Sequence, residues 1–322
     1  MRHLLTIGEL SKAEVEKLLD LSDSLSSVTR RDIKKLPTLR GRTVVNLFLE
    51  SSTRTSSSFE LAAKRLSADL VSIKGSGSSL DKGESLKDTV STLTAYEPEA
   101  IVIRAPHVGA AKLVSEWTDA AVINAGDGTH SHPSQALLDL FTLRSRLGDL
   151  QGRSIWIVGD VLHSRVARSN IRAFTLMGAE VTVCGPPTLI PPGIESLGCR
   201  VETTLDSVGD ADVIYALRMQ HERMGEHFVP SLREYAARYQ INARRLGSRQ
   251  LLMHPGPVNR GVELSADVID IPRSLIAEQV ASGLAVRMAI LYELLSDPGR
   301  ARSRREGETP APADPPRIGQ PA

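Results

Sequence analysis

The sequence predicts an α/β protein with two domains, each a mainly parallel sheet flanked by helices. Two observations lead to this prediction. Short apolar runs, typical of buried strands, alternate with segments whose apolar residues recur at helical spacing. The chain has 322 residues, which is long for one domain and comfortable for two.

The elements follow in order along the chain. Ser11 and Glu14 form a capping-box pair that begins a helix extending to Val28. Apolar spacing indicates later helices in residues 59–66, 86–93 and 166–177, and a last helix with one apolar face made of Ala277, Val280, Leu284, Met288, Leu291 and Leu295. The predicted strands are the runs 44–49, 101–103, 122–123, 155–158, 179–186, 213–216 and 251–253.

Composition and charge exclude several classes of protein. With 39 basic and 38 acidic residues the chain makes no strong field, and no basic face large enough to bind nucleic acid is evident. No apolar run approaches membrane-spanning length, and the N-terminus lacks the apolar core of a signal peptide. Cys184 and Cys199 are too few for a disulfide framework, so we expect reduced thiols in a cytoplasmic protein.

The last part of the chain differs from the rest. Residues 298–322 hold six of the 18 prolines, several arginines and almost no large apolar side chains. Such a segment cannot bury enough surface to order itself, so we expect a disordered tail. Contact between its arginines and an acidic partner is the less favoured alternative.

Polar residues follow the predicted strands, at the ends where open α/β sheets bind their ligands. These residues are Arg104, the segment "NAGDGTHSHPSQ" (124–135), "GDVLHSR" ending at Arg165, Arg218, and "HPGP" (254–257). One arginine at such a place is usually a solvated surface residue. Several of them predict a small ligand that is rich in negative charge.

The segment "SSTRTSSS" (51–58) follows the first predicted strand and begins a helix. The N–H groups and dipole at a helix start attract anions, hydroxyls add donors, and Arg54 adds a forked cation. Hydroxyl residues also cap helices, but a cap needs one or two of them, and here seven of eight residues carry a hydroxyl. We therefore interpret the segment as a phosphate cradle. Since no G-x-x-x-x-G-K-[ST] loop occurs and "IVGDVLHSR" is a weak dinucleotide fingerprint, ATP and NAD are disfavoured.

"STRT" (52–55) followed by "SFE" (58–60) resembles the carbamoyl-phosphate motif of the aspartate/ornithine carbamoyltransferase family. Further matches keep the family's order over about residues 1–297; they are residues 78–89, 103–106, 124–142, 158–169, 217–223 and 253–263. The resemblance implies transfer of a carbamoyl group from carbamoyl phosphate to an amino acid, with no metal and no organic cofactor.

Within the family, "HPGP" stands where ornithine-specific members carry a His-Cys-x-Pro motif. This difference favours L-aspartate as the acceptor, with N-carbamoyl-L-aspartate as the product, an early step of pyrimidine synthesis. A second carboxylate on the substrate also accounts for Arg165 and Arg218. Ornithine or another amine as acceptor is one alternative, and a non-catalytic anion-binding relative is another.

The resemblance also implies the role of each site residue. The phosphate would lie on Ser52, Thr53, Arg54 and Thr55, and the carbonyl oxygen beside Thr55, Arg104 and His132. Arg54, Thr55, Arg104 and His132 are therefore the expected catalytic residues. The carbamoyl NH₂ would contact Gln135 and the carbonyls of Gly256 and Pro257. The aspartate carboxylates would contact Lys82, Arg165, Arg218 and Gln220.

Two assignments depend on the resemblance alone. From the residues themselves His130 and His132 are equally good candidates, and the family motif selects His132 because it directly precedes Pro133. The segment "SGSSLDKGES" (76–85) has the composition of a flexible surface loop. In the family this loop reaches a neighbouring subunit's site, and here it would supply Ser79 and Lys82, with Ser76 and Ser78 as alternatives to Ser79.

Shared sites require an oligomer, and the family implies a homotrimer; attachment of regulatory or dihydroorotase-like chains is left open. The implied domains are 1–133 for carbamoyl phosphate and 134–280 for aspartate, with a helix 281–297 that returns to the first domain. Ser56 departs from the family, which has a second arginine there. The departure removes a supporting ion pair behind the cradle, and we expect a modest effect because Arg54 is retained.

Overall fold

The structure is a computed structural model and describes residues 1–75, 83–220 and 228–296, without the side chain of Arg30. In these residues the strands form two sheets in which every pairing is parallel. The first sheet, in the order β2-β1-β3-β4, contains β1 (Thr43–Phe48), β2 (Asp69–Lys74), β3 (Ala100–Ala105) and β4 (Ala121–Asp127). The second, in the order β7-β6-β5-β8-β9, contains β5 (Ser154–Val158), β6 (Glu180–Cys184), β7 (Cys199–Glu202), β8 (Val213–Ala216) and β9 (Leu251–Met253). The predicted fold class is confirmed.

Helices flank both sheets. They are α1 (Lys12–Ser26), α2 (Thr53–Arg65), α3 (Leu86–Thr94), α4 (Ala110–Trp117), α5 (Pro133–Leu147), α6 (Arg165–Leu176), α7 (Leu232–Tyr239), α8 (Ala266–Ile269) and α9 (Ile276–Leu295). The predicted capping box at Ser11 and Glu14 is present in both directions. The helix predicted over 166–177 gives way to Gly178, whose positive φ of 86° suits the turn that follows a helix.

The strand order reverses once in each sheet. In the first sheet β1 lies between β2 and β3, so the chain winds outward in both directions from the β1–β3 pair. In the second sheet the corresponding pair is β5 and β8. Crevices for ligands form at the carboxyl ends of strands at such reversal points. The fold therefore places one crevice after Phe48 and Ala105, and another after Val158 and Ala216.

Two long helices connect the halves of the molecule. α5 leaves the first sheet after β4 and packs against α6 of the second half, while α9 packs against α1, α2 and α5. The apolar face predicted for α9 holds at Met288, Leu291 and Leu295, which are buried. The predicted face is wrong at Ala277 and Val280, because both side chains are exposed, Val280 by 58%. The buried side of that first stretch carries a polar residue, Gln279, for which the apolar pattern gave no signal.

The prediction also missed two strands and three short helices. β2 and β7 are edge strands with at most one buried residue each, so they lack the apolar run that identifies a central strand. The short helices α4, α7 and α8 were likewise not identified. The tail predicted at 298–322 lies outside the described residues. In the part of the chain that the structure describes, no helix has the length and apolar character needed to cross a membrane.

Candidate active site

The phosphate cradle lies where β1 turns into α2. Ser52 is the N-cap of α2, and its hydroxyl accepts the backbone N–H of Thr55 at 3.4 Å. Phe59 lies on the buried face of this helix, which packs against β1, β2 and α9. Thr55 is buried, whereas Thr53 and Arg54 are exposed at the helix start. The first turn of α2 therefore presents N–H groups, hydroxyls and a guanidinium at the β1 end of the crevice.

Arg54 lies against residues of the second half of the chain. Gly256 approaches it so closely that a Cβ at this glycine would lie 3.0 Å from Arg54 Cζ, and Gly256 has a positive φ of 63°. Although Arg54 is exposed as a whole residue, Gly256 partly covers its guanidinium; this desolvation first, and then the positive charge of Arg218, lower the pKa of Arg54. Two guanidinium groups from different sheets thus face the same space, which favours an anion there.

Glu50 joins the two crevices through a pair of arginines. Its Oε1 accepts from Arg104 Nη2 at 2.7 Å, and its Oε2 accepts from Arg165 Nη1 at 3.0 Å. Arg165 is buried at the start of α6, and its Nη1 also donates to the carbonyl of Gly128 at 3.1 Å. Because Arg104 lies near the carboxyl end of β3 and Arg165 begins the helix that follows β5, one carboxylate links the carboxyl ends of both sheets.

Two histidines near the start of α5 have opposite electrostatics. His132 is buried, and burial together with Arg104 and Arg165 holds its pKa well below the usual value, so the ring is neutral at physiological pH. His130 is half-exposed and hydrogen-bonded through Nδ1 to Asp127, which raises its pKa. The structure therefore places His132 beside the site arginines and directs His130 towards Asp127.

Residues after β5, β8 and β9 complete the arrangement. Asp160 accepts the backbone N–H of His163 at 3.1 Å and that of Gln220 at 3.2 Å, which ties the β5 and β8 ends together. His254 lies buried after β9, and its Nδ1 accepts the backbone N–H of Gly256 at 2.8 Å. Burial lowers the pKa of His254 first of all, and the charges of Arg54 and Arg218 lower it further.

Most of the predicted site residues therefore converge on the edges of the two sheets. Ser79 and Lys82 lie outside the described residues. Gln135 is buried on α5 and donates its Nε2 to Asp139 Oδ1 at 3.1 Å. Ser56 makes a backbone hydrogen bond to the carbonyl of Ser52.

Three buried or half-buried charged residues near the site were not predicted from the sequence. Glu50 directly follows the first apolar run, which was a signal, but an acid beside an anion site contradicts simple charge matching. Asp139 interrupts an apolar helix, "ALLDLF", and that interruption was also a signal. Arg287 is buried on α9 with its guanidinium carbon 5.3 Å from the ring centroid of Phe59, and burial lowers its pKa to about 10.

The side chains gathered here are donors and cations rather than metal ligands. Among residues 1–75, 83–220 and 228–296, no three His, Cys, Asp or Glu side chains are grouped so that they could hold a metal ion. Paired guanidinium groups, hydroxyls and helix-start N–H groups bind oxyanions, and a neutral histidine beside them can donate to a carbonyl oxygen. The site is suited to a ligand with phosphate and carboxylate groups.

Comparison with known proteins identifies the family. Residues 2–145 match the carbamoyl-phosphate-binding domain of aspartate/ornithine carbamoyltransferases, and residues 151–294 match the aspartate/ornithine-binding domain. The chain belongs to the aspartate/ornithine carbamoyltransferase family. The first matched segment ends in the last turn of α5, and the second begins shortly before β5.

The most similar carbamoyltransferases include two bacterial aspartate carbamoyltransferase catalytic subunits. The protein from Acidothermus cellulolyticus is 52% identical over 317 residues, which cover 97% of this chain and 98% of the relative. The protein from Thermobifida fusca is 54% identical over 299 residues, which cover 92% of this chain and 96% of the relative.

Solved structures of carbamoyltransferases share the fold. Aspartate transcarbamoylase from Trypanosoma cruzi, in complex with carbamoyl aspartate and phosphate, has a TM-score of 0.82 at 31% identity, covering 91% of this chain and 96% of that one. The catalytic subunit of M. Jannaschii aspartate transcarbamoylase has a TM-score of 0.79 at 34% identity, covering 96% of this chain and 100% of that one.

Proposed function

We propose that this protein transfers the carbamoyl group of carbamoyl phosphate to the amine of L-aspartate, producing N-carbamoyl-L-aspartate and phosphate in pyrimidine synthesis. One observation carries the proposal. The strand order reverses once in each sheet, and cationic side chains lie at both reversal points: Arg54 and Arg104 at the first, Arg165 and Arg218 at the second. Glu50 connects the two groups because it binds both Arg104 and Arg165. Such a cleft suits one phosphate and two carboxylates. The similar structure from Trypanosoma cruzi, which holds carbamoyl aspartate and phosphate, supports the same chemistry.

The phosphate is assigned to the start of α2. The N–H groups there and the hydroxyls of Ser52, Thr53 and Thr55 donate to its oxygens, and Arg54 supplies a forked cation. Phosphate is also the leaving group. Donors that stabilise its growing charge therefore contribute to catalysis as well as to binding.

The carbonyl carbon of carbamoyl phosphate accepts the attack of the aspartate amine, and negative charge then develops on the carbonyl oxygen. Thr55, Arg104 and the neutral His132 are assigned to that oxygen as donors. Their contribution is greatest in the transition state because only there is the charge fully developed. Gln135 and the carbonyls of Gly256 and Pro257 are assigned to the carbamoyl NH₂.

The second half of the chain is assigned to aspartate. Arg165, Arg218 and Gln220 would bind its two carboxylates, so that the amine faces the carbonyl carbon. Closure of the two halves over both substrates would exclude water from the developing oxyanion. Glu50 joins Arg104 to Arg165, so side chains from both halves meet at the place where the substrates would be enclosed.

We also propose that the protein is a homotrimer with shared sites, in which Ser79 and Lys82 of each chain enter the site of the next. The support is the match to the family motif at residues 78–89. A cytoplasmic location is proposed as well, since the cysteines Cys184 and Cys199 are buried and free, as in proteins of reducing compartments.

Phosphate release with carbamoyl phosphate and each of two acceptors, L-aspartate and L-ornithine, tests the function. We expect release with aspartate and N-carbamoyl-L-aspartate as the product identified by mass spectrometry. Release with ornithine alone would contradict the choice of acceptor. Release with neither acceptor, from protein that binds phosphate, would favour a non-catalytic relative.

A further inference from the structure

A fully buried carboxylate lies directly behind the groups proposed to hold the carbamoyl NH₂. Asp139 has no exposed surface and lies on α5, one turn after Gln135. No step of the proposed reaction uses this carboxylate. Since burying an ionised carboxylate without partners is costly, the groups that hydrogen-bond to Asp139 indicate what it holds in place.

Four side-chain donors surround the carboxylate. Oδ1 accepts from Gln135 Nε2 at 3.1 Å and from Gln279 Nε2 at 2.7 Å, and Oδ2 accepts from Asn170 Nδ2 at 2.9 Å and from Tyr215 Oη at 2.7 Å. An ionised carboxylate offers about four acceptor positions, so these donors use it fully. A protonated acid would direct its own proton at one of the donors. The arrangement therefore requires the anion.

The hydrogen bond between Gln135 and Asp139 orients the amide of Gln135. The amide NH₂ of Gln135 donates to Asp139, which leaves the carbonyl Oε1 as the end that can accept from a ligand. A carbamoyl NH₂ is a donor and needs such an acceptor. Without an anion at position 139 the amide can rotate and present its own NH₂ to the ligand, which places two donors face to face.

A second series of hydrogen bonds connects Asp139 to the segment after β9. Gln279 donates to Asp139, and its Oε1 accepts the backbone N–H of His254 at 3.0 Å. His254 in turn accepts the N–H of Gly256 at 2.8 Å. The same carboxylate is thus connected to the loop whose carbonyls are assigned to the carbamoyl NH₂.

We propose that Asp139 is the positioning residue for the carbamoyl NH₂ of carbamoyl phosphate. Its anion holds the acceptor end of Gln135 and, through Gln279, the 254–257 segment in the geometry that the ligand needs. This inference rests on the proposed function.

Protonation of Asp139 should release this geometry on the acid side. Burial raises the pKa of Asp139 to about 6, and its four donors oppose the shift. The titratable and charged groups nearby are Tyr215 on β8, Arg287 on α9, His132 at the start of α5, and His254 after β9. The pKa of Tyr215 is raised well above its usual value, and the pKa values of both histidines are lowered, chiefly by burial. Since Arg287, with a pKa of about 10, stays cationic, Asp139 is the network group expected to limit kcat in acid.

Two variants test the proposal, with the pH profile of kcat as the readout. Asp139→Asn keeps the size of the side chain but is not a pure acceptor, and we expect kcat to fall by about 10²-fold because the ligand is misplaced. Tyr215→Phe removes one donor from Asp139, whereas the hydrogen bonds that Gln135 and Gln279 donate to Asp139 remain. It should keep kcat within about threefold near pH 8 and move the acid limb to higher pH, because the lost hydrogen bond had lowered the pKa.

A purely structural role would lower the thermal midpoint of either variant without moving the acid limb of Tyr215→Phe. The proposal is overturned if folded Asp139→Asn keeps kcat within about threefold of the wild type. If Asp139→Asn does not fold, Tyr215→Phe decides, and an acid limb that stays in place counts against the proposal. Wild-type turnover in the same assay separates failure of this inference from failure of the proposed function.

Discussion

Glu50 binds Arg165 through both carboxylate oxygens although the two residues follow strands of different sheets. Oε2 lies 3.0 Å from Arg165 Nη1, and Oε1 contacts both Arg165 and Arg104. Arg165 is fixed in turn by backbone that leaves little room: a Cβ at Gly126 would lie 2.9 Å from Arg165 Nε, and Gly126 has a φ of 119°. The guanidinium is therefore held in one orientation between the halves of the molecule.

Glu50→Gln should lower both stability and activity. The amide keeps the shape but removes the charge, and one amide hydrogen would face a guanidinium. We expect a loss of about 1–3 kcal/mol in unfolding free energy, because two poorly exposed arginines lose their partner. We also expect kcat/KM for aspartate to fall by about tenfold or more as Arg165 loses its orientation.

Glu60→Gln is the matched control, since Glu60 is half-buried on α2 and accepts a hydrogen bond from the Ser72 hydroxyl at 2.9 Å. Urea unfolding and initial rates should be unchanged in this control. Equal effects of Glu50→Gln and Glu60→Gln would show that the bridge to Arg165 has no special role.

Arg54→Lys should reduce turnover strongly although it keeps the charge. Lysine cannot pair with two phosphate oxygens in the forked geometry of arginine. We expect kcat to fall by about 10²–10³-fold, as for the loss of one donor to a developing charge. Arg172→Lys, on the exposed surface of α6, is the control and should leave kcat unchanged. Near wild-type kcat for Arg54→Lys would remove Arg54 from the catalytic set.

The parts of the fold that could be predicted from the sequence are those whose residues are buried on all sides. β3 and β5 are central strands covered on both faces, so they appear as continuous apolar runs. β2 and β7 each pair with one neighbouring strand and have at most one buried residue, so their sequences carry no comparable run. α9 shows the same limit, because part of its buried side contacts a carboxylate instead of an apolar core.

The candidate site divides in the same way. Arg104, Arg165 and Arg218 could be located because each follows a predicted strand within seven residues, and parallel strands end at one edge of the sheet. Asp139 and Gln279 are 140 positions apart and meet only through tertiary packing. Neither residue type nor local spacing predicts such a contact, so the network behind the site required the structure.

The two histidines before α5 should shape the pH dependence of stability in opposite directions. Since the pKa of His130 is raised by Asp127, protonated His130 stabilises the fold below the unfolded-state pKa, and this contribution disappears as the pH rises through the folded-state pKa. His130→Gln can keep a hydrogen bond to Asp127 but not the charge. We expect it to lower the unfolding free energy more at about pH 6 than at about pH 9.

His132 has a lowered pKa, so it costs stability as the pH falls below the unfolded-state value. His132→Gln should accordingly lose less stability, relative to the wild type, at about pH 5 than at about pH 8. Urea unfolding across this range measures both variants. The same sign of pH dependence for both would contradict the opposite environments described here.

Ser56→Arg, which restores the arginine usual in the family, should change little. Ser56 lies half-buried on α2 and only its backbone is bonded to the cradle, at the carbonyl of Ser52. A supporting ion pair near the surface contributes about 0–1 kcal/mol, which corresponds to less than a tenfold change in turnover or affinity. Steady-state kinetics and thermal unfolding check this. A change of several orders of magnitude would mean that position 56 belongs to the site itself.

A mixture of two inactive variants should recover activity if sites are shared between chains. Arg54→Ala damages the cradle of its own chain, whereas Lys82→Ala would damage the site of the neighbouring chain. In a mixed trimer some sites combine an intact Arg54 with an intact Lys82 from different chains, so activity should return after subunit exchange. Native mass spectrometry separates trimers by mass and so shows whether the two variants have exchanged subunits. A mixture of Arg54→Ala with His132→Ala is the control, since each of these changes damages the site of its own chain. Recovery in neither mixture despite complete exchange would place Lys82 in the site of its own chain, whereas equal recovery in both would mean that Arg54 and His132 serve different sites.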